Sequence, residues 1–131
     1  MNKLSPYAHW TLRIALGSVF IYHGIIKFPN LNGLAQMMHM SVIMVFMLAV
    51  VETVGGLLVL VGGFYKDWMT RVGALLLMFP MLGAIFMVHW GQWNFMASKS
   101  HPMGGMEFQV TLLLVQLYLL IKGNSVANVT G

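Results

Sequence analysis

The chain has 131 residues, of which 59% are hydrophobic and 8% charged, and a formal net charge of +4. A soluble domain carries about 25% charged residues, and one of this size buries only roughly 60–70% of the surface its unfolded chain exposes; lipid must cover the rest. The seven basic residues are scattered, so the charge is no nucleic-acid signal, and the lack of cysteine excludes disulfides, thiolate metal sites and cysteine nucleophiles.

By length the chain is a single domain, residues 1–131. Four apolar segments predict an all-α, integral membrane four-helix transmembrane bundle, with helices at about 9–28, 42–64, 72–90 and 106–121. Helices are expected because lipid offers no partners to backbone N–H and C=O groups, and the period-two pattern of a barrel is missing. Lys3 followed by an apolar stretch imitates a signal peptide. The stretch runs on to His23, Gly24 and Lys27 where a small-x-small cleavage site would stand, so it reads as a retained helix.

Pro29-Asn30-Leu31-Asn32-Gly33 ends the first span with turn chemistry. Residues 34–40 are expected to form a short interfacial helix. Tyr65-Lys66-Asp67-Trp68 is a tight polar link between the second and third spans, and Pro80 is expected to kink the third. The longest loop runs from Gly91 to Gly105. Tyr7, Trp10, Tyr65, Trp68, Trp90 and Trp93 flank the spans as aromatic belts do. Lys3, Lys66, Arg71 and Lys122 share one side and Lys27 and Lys99 the other, which predicts cytoplasmic termini. Asn128-Val129-Thr130 matches a glycosylation sequon, of no consequence on a cytoplasmic tail.

Ionisable groups in the spans carry the functional signal, because a charge near the bilayer centre costs roughly 2.5–3.5 kcal/mol. Arg13, Gly17, Phe20, Gly24 and Lys27 recur at spacings of four and three, one stripe of the first helix, with His23 beside it. Glu52, Gly56, Val59 and Gly63 make a similar stripe on the second. From a rise of 1.5 Å per residue, Glu52 lies about 15 Å below the outer edge and Arg13 about 6 Å above the inner one. The two are expected to pair within the membrane, an arrangement that could equally serve only helix register. On the fourth helix, Thr111, Leu114 and Tyr118 are expected to face inward, with Gln109 and Gln116 opposite. His23, Lys27, His89 and Glu107 come out near the outer leaflet as one tier, where Lys27 and His89 could instead snorkel to headgroups.

Arg13, Gly17, Phe20, His23-Gly24 and Lys27, then Glu52-Thr53-Val54-Gly55-Gly56-Leu57-Leu58, Gly62-Gly63-Phe64, Arg71 and Gly104-Gly105 before Glu107, together resemble the DoxX-like family of small bacterial membrane proteins. The resemblance covers nearly the whole chain. It implies a four-helix membrane fold in the bacterial inner membrane, and an accessory role in a larger membrane oxidoreductase or respiratory complex. Thirteen methionines and a long Trp-, His- and Met-rich loop depart from it.

Arg13, His23, Lys27, Glu52 and Glu107 are therefore the candidate interior polar site, and a quinone is the group such a site could take. Nothing in the sequence binds haem, flavin or an iron–sulfur cluster, so an electron-carrying cofactor is expected on a partner. Two alternatives stand beside this one. A purely structural subunit would use the polar stripe only to hold helices together. A periplasm-facing copper handler would use Met37, Met38, His39, Met40, His101, Met103 and Met106, whose soft ligands suit copper(I), though methionine also fills apolar gaps. A small transporter is weaker, because discontinuous helices are lacking apart from Pro80. No nucleophile–base pair, phosphate loop or complete metal motif points to a stand-alone enzyme.

Overall fold

The structure, a computed structural model, describes residues 2–127. The sequon at 128–130 lies outside the described residues. A short 3-10 turn, Asn2–Tyr7, leads into α1, His9–Ile25. A second 3-10 turn, Phe28–Asn30, leads to the short α2, Leu31–Met38. α3 spans Val42–Gly62, and α4 spans Asp67–Ala84 and runs on as a π turn over Ile85–His89. α5 spans Glu107–Lys122 and closes on a 3-10 turn, Gly123–Ala127. The chain is thus all-α, with four long helices and the expected short helix shifted a few residues earlier.

Local chemistry sets these limits. His39, in the left-handed region at φ 53°, ends α2. The Ser41 side chain then caps α3 by accepting from Met44 N–H at 3.3 Å. Asp67 starts α4 five residues before the predicted edge, because the polar link joins the helix rather than preceding it. Pro80 has no N–H to give its preceding turn, yet α4 stays continuous through it and widens only at the π turn.

Three helical stretches, His9–Met38, Val42–Gly62 and Asp67–His89, are long and apolar enough to cross a membrane. Large apolar side chains such as Ile14, Ile43, Met47, Phe79 and Phe86 stand exposed on them. The chain is a multi-pass membrane protein. α5, with 16 residues, is about 24 Å long, short of the roughly 30 Å hydrocarbon core.

Because lipid tails are as apolar as leucine, these helices associate through close packing rather than hydrophobic exclusion. Sequential long helices run antiparallel. α1 meets α3 at Gly24, where an added Cβ would lie 2.8 Å from both Ala49 O and Thr53 N. α3 meets α4 at a pair of glycines; a Cβ on Gly73 would lie 2.8 Å from Gly55 O. The core gathers Leu16 and Phe20 of α1, Val59 of α3, Ala74, Leu77 and Met81 of α4, Ile85 of the π turn, and Leu112 and Leu119 of α5.

α5 turns the opposite way from its sequence expectation. Leu112, Gln116 and Leu119 are buried, while Thr111, Leu114 and Tyr118 are exposed. The reason is that α5 packs chiefly on α4 and barely touches α1. The Thr111 face therefore borders a shallow apolar groove of about 330 Å³ beside Leu12 and Val115.

Gly24→Ala must push α1 from α3, because Ala49 O and Thr53 N, two of the obstructing atoms, are backbone. The expected cost is about 1–3 kcal/mol, read as a lower unfolding midpoint in detergent. Gly83→Ala, with nothing within 4 Å of the added carbon, should be neutral or stabilising by up to about 1 kcal/mol. Equal loss in both variants would show that the α1–α3 approach is not the constraint described.

Candidate functional site

The candidate residues fall into three separate groups. Arg13 is fully buried at the end of the bundle where α1 begins and α3 ends. Its Nε donates to His9 Nδ1 at 2.9 Å. Nη1 donates to Val59 O at 2.8 Å and to Thr70 Oγ1 at 2.7 Å. Nη2 donates to Asn124 Oδ1 at 3.0 Å and to Gly123 O at 3.4 Å. A guanidinium has five N–H groups, and each has an acceptor here. Those acceptors come from α1, α3, α4 and the turn after α5.

The acceptors are themselves organised. Because His9 Nδ1 accepts, the ring carries its proton on Nε2 in this arrangement. Thr70 Oγ1 donates onward to Asn124 Oδ1 at 2.8 Å, and Asn124 Nδ2 donates to Gly62 O at 2.8 Å. Asn124 N–H donates to Asp67 Oδ1 and Arg71 Nε to Asp67 Oδ2, both at 2.6 Å. Arg71 Nη1 also caps the end of α5 by donating to Leu120 O and Ile121 O. Trp10, 4.3 Å from the Phe64 ring, covers the guanidinium from outside.

The expected Arg13–Glu52 ion pair does not form. Glu52 pairs instead with Lys27. Register explains the difference. Gly24 packs against Ala49 and Thr53, which sets Glu52 level with Gly24. Arg13 is eleven residues below that level, about 16 Å along the axis, whereas Lys27 is about 5 Å above it. Depth counted from each helix end separately shortens the first gap, because the two helices are staggered: Gly63, just past the end of α3, lies against Arg13 rather than against the start of α1.

Lys27 Nζ also donates to His23 O at 2.7 Å. The side chains of Lys27 and Glu52 are 13% and 10% exposed, so the pair is sunk but not sealed. The His23 ring is exposed beside Tyr22 and within electrostatic reach of Glu52. His23, Lys27 and Glu52 are therefore brought together.

Glu107 is placed elsewhere. Its Oε2 accepts from Phe95 N–H at 3.3 Å, tying α5 to the long loop. His89, also buried, orients Nδ1 to Gly104 O and Nε2 to the Gln109 amide, each at 2.9 Å. One tautomer, Nδ1–H, satisfies both contacts. No hydrogen bond or ion pair among the described residues joins Glu107 or His89 to Lys27 or Glu52.

His9, Thr70, Asn124 and Gln109 make hydrogen bonds that sequence reading missed, and Gln116 is buried. Asn124 sits past the helix end, where tails are usually discounted. The two glutamines recur seven residues apart, two helical turns, and that spacing was the available signal for a shared buried face.

A multi-helix membrane protein with a buried ion pair between its first two spanning stretches is the class these features define. The chain belongs to the DoxX family, whose model matches residues 8–90. That range holds Arg13, His23, Lys27, Glu52 and Thr70, and it stops before α5. The chain is also 30% identical over 127 residues, 95% of its own length and 85% of the other's, to a Bacillus subtilis (strain 168) protein named "Putative oxidoreductase CatD". No solved structure matches it.

Lys27→Met leaves the Glu52 carboxylate buried without a partner and is expected to cost about 3–5 kcal/mol. Lys27→Met combined with Glu52→Leu should recover most of that loss. Arg13→Lys keeps the charge but not the planar five-donor fork, and should cost about 3 kcal/mol or more. Denaturant titration in mixed micelles reads all three. A double variant as unstable as Lys27→Met alone would contradict the pairing.

Proposed function

We propose that the protein is an accessory subunit of a membrane oxidoreductase that uses a quinone-type carrier, in a bacterial inner membrane with both termini cytoplasmic. The observation that carries this reading is the Lys27–Glu52 pair beside His23. An ion pair within the hydrocarbon depth, left partly open, is expensive to keep for packing alone. Reducing a quinone to a quinol consumes two protons, and a carboxylate held by an ammonium is a group that can pass them.

The residues present fit that task. Lys27 Nζ has three N–H groups, of which two are engaged, by Glu52 and His23 O. Glu52 uses Oε2 for the pair, which leaves Oε1 to accept. His23 offers a second titratable ring at the lipid boundary. The carrier supplies the redox chemistry, and the electrons come from a partner enzyme. The name borne by the Bacillus subtilis relative supports the oxidoreductase link.

Charge distribution supports the orientation. Lys66, Arg71 and Lys122 gather with Arg13 at one end, against Asp67. This is the asymmetry expected of a cytoplasmic face. Arg13, its donors all satisfied by the protein itself, serves as framework there. A purely structural subunit is favoured by that same self-sufficiency of Arg13, and Glu52→Gln separates the two readings.

Membranes from a deletion strain should lose quinone-linked respiration, restored by the native gene. Glu52→Gln, assembled to native level, should lower that turnover about a hundredfold. A Glu52→Gln protein that assembles poorly but turns over normally per complex would indicate the structural reading. A protein that purifies alone in mild detergent, with respiration unchanged by its deletion, would end the oxidoreductase reading.

A further inference from the structure

Glu107 is the carboxylate the bundle leaves without a charge partner. Glu52 has Lys27 and Asp67 has Arg71, but Glu107 makes no ion pair among the described residues. Its Oε2 accepts from Phe95 N–H at 3.3 Å, and its Oε1 accepts from no group among the described residues. The side chain lines a recess of about 300 Å³ with Phe95, Phe108 and Thr111. A folded loop holds Phe95 in place. The carbonyls of Gln92, Trp93 and Asn94 accept from the N–H groups of Met106, Glu107 and Gly105 at 2.9, 3.0 and 2.9 Å.

Thr111 lines both this recess and the groove beside Leu12, Leu114, Val115 and Tyr118. Glu107, Thr111, Leu114 and Tyr118 recur at spacings of four and three, so recess and groove follow one exposed face of α5. From Glu107 to Tyr118 that face runs about 16 Å, half of the ~30 Å hydrocarbon core and thus the depth of one leaflet. It has an acid at one end and an apolar channel one acyl chain long beneath it. The Thr111 hydroxyl is turned inward, donating to Glu107 O at 2.9 Å. A channel so poor in polar contacts suits a featureless hydrocarbon chain better than a partner helix, whose register it could not fix.

The helix is also shorter than the hydrocarbon core. Lys122 at one end can snorkel to headgroups on its long stem, whereas the short stem of Glu107 cannot. The counter-charge that the chain does not supply is carried by lipid. We propose that this face of α5 is a specific lipid site for a phospholipid with a primary ammonium headgroup, the phosphatidylethanolamine class. The ammonium donates to Oε1 of Glu107, between the rings of Phe95 and Phe108, whose faces attract cations. One acyl chain lies along Thr111, Leu114, Val115 and Tyr118, in the seam where α5 barely touches α1. An anionic headgroup without an ammonium meets only like charge at Glu107. The site stands independently of the oxidoreductase reading.

Native mass spectrometry of the purified full-length protein, stripped of lipid and titrated with phosphatidylethanolamine or phosphatidylglycerol of matched chains, tests this. The native chain should bind the ethanolamine lipid about tenfold more tightly, the worth of one hydrogen bond to a charged group. Glu107→Gln keeps an oxygen for Phe95 N–H but removes the charge, and the ratio of the two affinities should fall to about one. A ratio taken within one protein is not imitated by a general loss of stability. Thr111→Trp, which fills the face where recess and groove meet, should weaken binding of the ethanolamine lipid severalfold. Equal affinity of the native chain for both lipids overturns the proposal, as does a native ratio in Glu107→Gln or native affinity in Thr111→Trp. A dimer that covers this face with a second copy, and that Glu107→Gln dissociates, overturns it as well.

Discussion

One guanidinium sealed inside the bundle sets the terms for this structure. Arg13 cannot lose its proton and cannot reach water. All five of its N–H groups must therefore find oxygen or nitrogen inside the protein. They find it on α1, on α3, on α4 and on the turn after α5. No hydrophobic force between helices exists in lipid to do this joining. Directional bonds to a single cation supply it, and the glycine contacts supply the approach distance.

The two interior charges of α1 have opposite designs. Arg13 is sealed, satisfied by neutral acceptors and backed by Asp67 only at longer range. Lys27 is paired directly with a carboxylate and left ajar. Glycine packing sets the α1–α3 register and so holds Glu52 level with Gly24, about 16 Å along the axis from Arg13. A closed cation suits a frame. A partly open ion pair beside an exposed imidazole suits exchange with something outside the chain.

Much of the fold was legible from residues alone. Apolar length placed the four long helices, and turn chemistry at Pro29 to Gly33 placed the break before the short one. The spacing of Arg13, Gly17, Phe20 and Gly24 identified the buried face of α1, and all four are buried. Partner choice was not legible, because counting depth from helix ends carries errors of several residues, and one turn decides whether Glu52 meets Lys27 or Arg13. The inner face of α5 was misread because a stripe of Thr111, Leu114 and Tyr118 and a stripe of Gln109, Leu112, Gln116 and Leu119 are equally periodic. Only the packing of α5 on α4 chooses between them. Of the candidate site, His23, Lys27 and Glu52 converge, whereas Arg13 and Glu107 serve other contacts.

The turn at Gly123 and Asn124 also bears on how the molecule is made. Gly123 takes φ 55°, where an added Cβ would strike the Asp67 carboxylate. It thereby sends Asn124 back beneath the bundle to the guanidinium. The acceptors it brings stand 110 and 111 residues downstream of Arg13. A ribosome emits the first helix long before it emits them. Until they are made, both N–H groups of Nη2 lack the acceptors they have in the finished bundle. A chain that stopped before Gly123 would leave Nη2 of that cation without either acceptor.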